Sequence, residues 1–220
     1  MSVVGAVHTT RLVIEPVHRS ISGAAADLQI SHVLDEGILR RLAELGRITP
    51  EIVDWLTAMV GSAERAGAGL AVVSCSSLSP CVNEVRNRVG IPVLKVDEPM
   101  MEYAVEHGER IGLVMTNPTT ETPSTLLFSE VASRFSSQTE LVSRLCPGAF
   151  AKLTSGDVEG HDREVVQVIK QLLEQVDIVM LAQISIAPVR NQLDKDSASR
   201  VVSSLDFIGS RVGEILARGR

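Results

Sequence analysis

The chain has 220 residues, of which 45% are hydrophobic and 22% charged, with a formal net charge of -6. This is ordinary globular composition, long enough for one large core or two small ones. Aromatics amount to 3% and there is no basic cluster, which argues against nucleic acid as a partner. No apolar run approaches the roughly 20 residues of a membrane span and the N-terminus lacks a signal-peptide pattern, so no membrane contact is expected and the expected location is cytoplasmic.

The first predicted element is a short buried strand, Ser2 to Val7, which stops at His8-Thr9-Thr10. Helical apolar spacing then runs from Arg11 to Ala26, with Pro16 marking a first turn. Leu28 to Val33 alternates as a second strand and enters the polar loop Asp35-Glu36-Gly37, expected to overhang the end of the first strand. A helix from Ile38 to Leu45 ends before Gly46. The next has Thr49 as N-cap, Pro50 at its first position and Glu51 in its first turn, and continues to about Arg65. The turn Ala66-Gly67-Ala68-Gly69 precedes a strand, whereas a dinucleotide-binding fingerprint follows one, so it is not read as a cofactor site.

The run Val72 to Pro80, VVSCSSLSP, is the centre of the chain. Two β-branched residues lead to a thiol, then to small hydroxyl residues, then past Pro80 to helical spacing. A cysteine at the handover from strand to helix sits where open α/β sheets bind ligands and where unpaired N–H groups lower a thiol pKa. The alternative for Cys75 is a small core hydrophobe. Ile91 to Val96 is the fourth strand, and Asp97 to His107 a helix.

The pattern restarts with a strand from Ile111 to Met115, the loop Thr116-Asn117-Pro118-Thr119-Thr120, and a helix from Pro123 to Phe135. Glu140 to Val142 reads as a short strand leading to Cys146-Pro147-Gly148. Val158 to Gln175 is an amphipathic helix, capped by Asp157 or by residues near His161. Strands follow at Asp177 to Ala182 and Arg200 to Ser203. A final helix, Asp206 to Arg218, is expected to lie back across the first half.

The two halves repeat. An offset of 108 lays Ala71 to Pro80 over Val179 to Pro188, matching Ser77 with Ser185, Pro80 with Pro188 and Cys75 with Gln183. An offset of 107 lays Val4 to Thr10 over Ile111 to Asn117, matching Gly5 with Gly112 and Thr9 with Thr116. Such matches in one order suggest a duplicated design, although any two βαβ units share some likeness. The predicted fold class is therefore α/β: two pseudo-two-fold-related domains, each with a four-stranded parallel sheet, and an active site in the cleft between them. The first domain is expected to span residues 1–98 plus 206–220, and the second 99–205.

The three cysteines, Cys75, Cys81 and Cys146, lack CxxC spacing, and the five histidines, His8, His18, His32, His107 and His161, lack ligand spacing. No disulfide framework and no metal are expected. Cys81 and Cys146 read as packing residues.

In these motifs, His8-Thr9-Thr10, Cys75-Ser76-Ser77, the Thr116 loop and the Gln183 loop, the chain resembles the aspartate/glutamate/hydantoin racemase superfamily over nearly its whole length. The resemblance implies two α/β domains, no cofactor, a small carboxylate substrate, a homo-oligomer, and cysteines that move a proton at the carbon next to a carboxylate. Racemases of this kind carry a cysteine in each half, and here Gln183 stands in place of the second. An amide does not titrate near neutral pH, so only one face of the substrate carbon has an evident base. The single-cysteine members of the superfamily include an arylmalonate decarboxylase, although its cysteine lies in the second half.

The roles this implies are specific. Cys75 is the acid/base, or a nucleophile forming a thioester. His8 deprotonates or orients the thiol, or else shapes its loop. Thr9, Thr10, Ser76, Ser77, Thr116, Asn117, Thr119 and Ser185 hold the carboxylate and stabilise an enediolate, with Gln183 as a binding or oxyanion group. The alternative for each hydroxyl is turn capping. Three functions follow: an isomerase or racemase, a lyase cleaving a substituted malonate or oxo acid, and a silent carboxylate-binding protein.

Overall fold

A computed structural model describes residues 2–25, 27–135 and 137–218. Ala26, the end of the first predicted helix, lies outside the described residues, as do Met1, Gly219 and Arg220 at the limits of the predicted first domain. The chain divides into two compact units, residues 1–97 with 205–220, and residues 98–204.

In the first unit β1 (Ser2–His8) leads through α1 (Ile14–Ser22) to β2 (Leu28–Leu34), then α2 (Gly37–Leu45), α3 (Pro50–Arg65), β3 (Leu70–Val73), α4 (Ser79–Arg86) and β4 (Val93–Lys95). The sheet is parallel with strand order β2-β1-β3-β4. Its two central strands are apolar on both faces because both faces are covered. Val7, Ala71, Val73 and Cys75 on one face pack against Ile52, Leu56, Met59 and Val60 of α3 and against Cys81, Val82 and Val85 of α4. Each fully buried aliphatic side chain there contributes roughly 1.5–3 kcal/mol. A side chain at Gly5 would meet the Ala63 Cβ at 2.4 Å, so glycine lets α3 approach β1.

Several boundaries differ from the sequence-based expectation for physical reasons. A 3-10 turn, Arg11–Val13, precedes α1, capped by Thr10. Thr49 occupies the N-cap of α3 in extended conformation, but its hydroxyl makes no cap bond, and Pro50 marks the start. Asp97 lies outside the helix that follows it, in the turn leaving β4. The Asp35 N–H donates to the His8 carbonyl at 3.1 Å, so the loop after β2 does reach the end of β1.

The second unit runs α5 (Glu98–His107), β5 (Arg110–Met115), α6 (Glu121–Arg134), β6 (Glu140–Leu145), α7 (Ala149–Ser155), α8 (Val158–Leu173), β7 (Ile178–Leu181), α9 (Lys195–Ser199) and β8 (Val201–Ser203). Its strand order, β6-β5-β7-β8, reproduces that of the first sheet, also parallel. β6 is longer than its apolar residues suggest, pairing with β5 from Glu140 to Leu145. As an edge strand it tolerates Ser143 and Arg144. α7 escaped prediction because it is short, and it is bounded by Gly148 and Gly156 at φ 81° and 90°. The stretch after Gln183 holds a further 3-10 segment, Ile184–Gln192, and α9, capped by Asp194. Asp157 is the N-cap of α8, accepting from the Gly160 N–H at 2.9 Å. The C-terminal helix, Ile208–Arg218, returns to the first unit and packs on α1, where the Ser20 hydroxyl donates to the Leu205 carbonyl at 2.6 Å.

Candidate active site

In a sheet ordered 2-1-3-4, connections leave strands 1 and 3 toward opposite faces and open a crevice at their C-terminal ends. In the first unit that edge carries Thr9 after β1, Cys75 after β3 and Asp97 after β4. Val7 is registered with Val73, and Val73 with Lys95. Two residues further on, the same alternation puts Thr9 and Cys75 on one face, while Asp97, in the turn leaving β4, is near enough for its charge to act on the thiol.

Cys75 is 8% exposed. Burial pushes its thiol pKa upward, opposed by the Thr9 hydroxyl and by the Leu78 and Ser77 N–H groups, while the Asp97 charge pushes it further up. The Leu78 N–H also closes the turn on the Cys75 carbonyl at 3.0 Å. Burial and the Asp97 charge thus oppose the thiolate that the three donors favour.

His8 does not join this group. Strand alternation turns it to the opposite face, where its Nδ1 lies 2.8 Å from the Ser74 hydroxyl and its Nε2 2.8 Å from His32 Nδ1. His32 Nε2 is in turn 3.0 Å from His18 Nδ1. Ser74 donates its one proton to the Val7 carbonyl at 3.1 Å. It therefore accepts from the His8 Nδ1–H, which leaves His8 Nε2 to accept from His32. Burial, and then the neighbouring His32, push the His8 pKa down to about 4. The residue that strand register brings to the thiol is Thr9, so the expected His8–Cys75 contact is corrected to Thr9–Cys75.

Asp97 escaped the sequence reading, which assigned it to the helix. It is 1% exposed, and neither carboxyl oxygen has a well-formed hydrogen bond among the described residues. Burial raises its pKa to about 7, against the opposing approach of the Ser76 hydroxyl. The sequence did hold a signal: an acidic residue where a strand ends beside the cysteine strand.

The second unit repeats the arrangement with different chemistry. The Gln183 side-chain oxygen accepts from the Thr116 N–H at 2.7 Å, the Thr116 hydroxyl at 3.1 Å and the Asn117 N–H at 3.0 Å. Two backbone donors fix which amide atom is oxygen. What Gln183 has left to offer is its NH2, a pair of donors. Asn117 Oδ1 accepts from the Thr119 N–H and hydroxyl at 3.0 and 2.9 Å. Ser185 is half-buried on the 3-10 segment that follows Gln183.

Other polar residues divide between structural roles and open ones. The Thr10 hydroxyl accepts from the Leu12 N–H at 3.4 Å, a cap. Asp35 accepts from the Gly37 N–H at 2.8 Å and the Trp55 indole at 2.9 Å, fixing its own loop. His161, 1% exposed on α8, has Nδ1 2.7 Å from Asp162, and its Nε2 has no partner among the described residues. Cys81 and Cys146 lie in the cores, where burial pushes their thiols up to about 12 and about 11. Among the described residues no cluster of His, Cys, Asp and Glu is arranged to hold a metal ion, and no helix is long and apolar enough to cross a membrane.

A family model described as Asp/Glu/Hydantoin racemase matches residues 7–208. No protein with a curated description is detectably similar in sequence. Among solved structures, glutamate racemase isoform RacE1 from Bacillus anthracis superposes with a TM-score of 0.76 at 17% identity, covering 99% of this chain and 82% of its own. Allantoin racemase from Klebsiella pneumoniae gives 0.72 at 13% identity, covering 100% and 89%. Aspartate racemase from Picrophilus torridus gives 0.69 at 12% identity, covering 94% and 90%. At these identities the likeness is one of fold.

Proposed function

Because the chain belongs to the Asp/Glu/hydantoin racemase family, and by that membership to the isomerases, we propose that it moves a proton at the carbon next to the carboxylate of a small acid or amino-acid derivative, with Cys75 as the proton carrier. The observation that carries this reading is the setting of the thiol, with the Thr9 hydroxyl and the Ser77 and Leu78 N–H groups directed at it. The glutamate, aspartate and allantoin of the neighbouring structures share an acidic C–H beside a carbonyl group.

In the proposed step the Cys75 thiolate takes the α-proton, forming S–H. The C–H electron pair passes into the carboxylate as an enediolate. Donors at the strand ends of the first unit, among them Ser76 and Ser77, hold its oxygens, a form of stabilisation worth several kcal/mol. The thiol then returns its proton on the same face, either to the same carbon, which gives exchange alone, or to another carbon of a delocalised enediolate, which shifts the double bond and gives the isomer.

A second reading, a lyase, is favoured by Gln183. Its oxygen is committed to three donors and its nitrogen does not titrate, so the counterpart of Cys75 in the second unit is no proton carrier. One carrier suffices for a shift that returns the proton to the face it left, and for protonating the enediolate left by decarboxylation.

The test is proton NMR in D2O on glutamate, aspartate, allantoin, hydantoins and substituted malonates, with wild type and Cys75→Ala. Loss of an α-proton signal with wild type alone supports the isomerase reading, and CO2 release with wild type alone the lyase. Equal activity in Cys75→Ala removes the thiol from the chemistry.

A further inference from the structure

One buried polar group of the second unit has no part in the chemistry described so far. α8 follows the turns after β6 and leads back to β7, so its first turn lies at the C-terminal edge of the parallel sheet, the edge that carries Thr116 and Gln183. The face of α8 turned to the sheet is marked by His161, Val165, Ile169 and Leu172, all buried at helical spacing. Val165 and Ile169 pack with Val114, Val179 and Leu181 of the central strands. Two residues on from Val114 and Leu181, alternation places Thr116 and Gln183 on that same face, and the bond between their side chains agrees with this. His161, one turn before Val165, therefore stands at the strand-end limit of the face that α8 covers.

The imidazole is held from one side only. Its Nδ1 lies 2.7 Å from Asp162 Oδ1, and a carboxylate only accepts, so Nδ1 carries the proton. The other Asp162 oxygen accepts from the side chain of Gln192, at the far end of the 3-10 segment that follows Gln183. Nε2, across the ring from that contact, is buried and has no partner among the described residues. With the ring neutral it is a lone pair shut away from water, which costs stability unless a donor reaches it. Packing does not call for such a group. The offset of 108 that relates the two units puts Val53 at this place in α3, where it is simply part of the core.

We propose that His161 is a ligand-binding residue of the second unit, whose Nε2 accepts a hydrogen bond from an N–H or O–H borne by a small acid. The NH2 of Gln183, at the same edge and on the same face, is the donor for a carboxylate oxygen. Together they select an acid that carries a hydrogen-bond donor over a plain dicarboxylate. Selection of this kind is steep, because an analogue without the donor leaves the buried acceptor unpaired.

The inference takes from the proposed function only that the ligand is a small acid. Its test reads binding in the Cys75→Ala background, while α-proton exchange reads the thiol, so a failure of one is separable from a failure of the other. The probes are glutarate, 2-hydroxyglutarate and glutamate, which share one skeleton and offer respectively no donor, a hydroxyl and an ammonium group. Calorimetry should show 2-hydroxyglutarate or glutamate binding at least about tenfold tighter than glutarate, with the preference gone in His161→Phe. Nitrogen NMR of isotope-labelled histidine rings should show the His161 Nε2 resonance move upfield with the preferred acid and stay in place with glutarate. A preference for glutamate alone assigns an ammonium donor, and for 2-hydroxyglutarate alone a hydroxyl. Equal affinities for the three acids, an Nε2 resonance that none of them moves, or a preference that survives in His161→Phe overturns the proposal. Should His161→Phe fail to fold, the resonance in the Cys75→Ala background decides alone.

Discussion

The hydroxyl of Thr9 hydrogen-bonds the thiol of Cys75, and the equivalent hydroxyl of the second unit, Thr116, hydrogen-bonds Gln183 at 3.1 Å. The same register step produces both pairs, since Val7 faces Val73 in one sheet as Val114 faces Leu181 in the other. The two units thus share the donor and differ in the acceptor, a thiol in one and an amide in the other.

Removing the donor tests the first pair. Thr9→Val keeps the shape of the side chain and deletes the bond that favours thiolate. The α-proton exchange rate should fall about tenfold, the equivalent of a charge-assisted hydrogen bond of roughly 1.5 kcal/mol. Thr9→Ser should retain most of the activity. Exchange kinetics in D2O measure both, and an undiminished Thr9→Val would show that the hydroxyl plays no part.

Asp97 should cost stability when it is charged. Its pKa is about 7 when folded against an ordinary 3.8, so the folded state binds more protons in that interval, and the contribution is lost as pH rises from about 4 to about 7. Asp97→Asn carries no such charge. Relative to the variant, wild type should lose up to about 4 kcal/mol between pH 4 and pH 8. Urea unfolding at the two pH values checks this, and a difference that does not change with pH would contradict it.

His8 should act in the opposite sense. Its pKa of about 4 in the fold lies below the ordinary 6.5, so the unfolded chain takes up the proton first. Stability present above about pH 6.5 should be lost as pH falls toward 4, by up to about 3 kcal/mol. His8→Asn should be less stable than wild type at pH 7 and show a shallower acid limb in thermal or urea unfolding.

Gln183 separates a structural role from a binding one. Gln183→Leu strands the Thr116 and Asn117 N–H groups and should destabilise the chain by roughly 2–4 kcal/mol in urea unfolding. Gln183→Glu keeps an acceptor for both and should fold, but it replaces the NH2 with a carboxylate oxygen. Its affinity for a carboxylate ligand, measured by calorimetry, should fall at least tenfold.

Much of this was legible in the sequence. Buried β-branched runs at Val72-Val73 and Ile178-Val179, and the matched Gly5 and Gly112, exposed the duplicated parallel sheets, because a close helix approach and a two-faced burial both leave local signatures. The failures have a common origin in register. His8 and Thr9 are adjacent, and only the pairing of β1 with β3 decides which of them shares a face with Cys75. Asp97 stands at the start of the helix expected over Asp97 to His107, and its burial is a tertiary fact that the sequence does not show. α7 and the turns after Gln183 are too short to show a period.

The central claim is that one thiol, on one face, carries the proton. The measurement that tests it most directly takes each enantiomer of an exchanging acid separately in D2O and follows α-proton loss by NMR alongside optical rotation. A single carrier at Cys75 predicts that one enantiomer exchanges much faster than its rotation decays, while the other exchanges slowly. Equal exchange of both enantiomers, matched by the decay of rotation, would contradict the claim and require a second proton carrier.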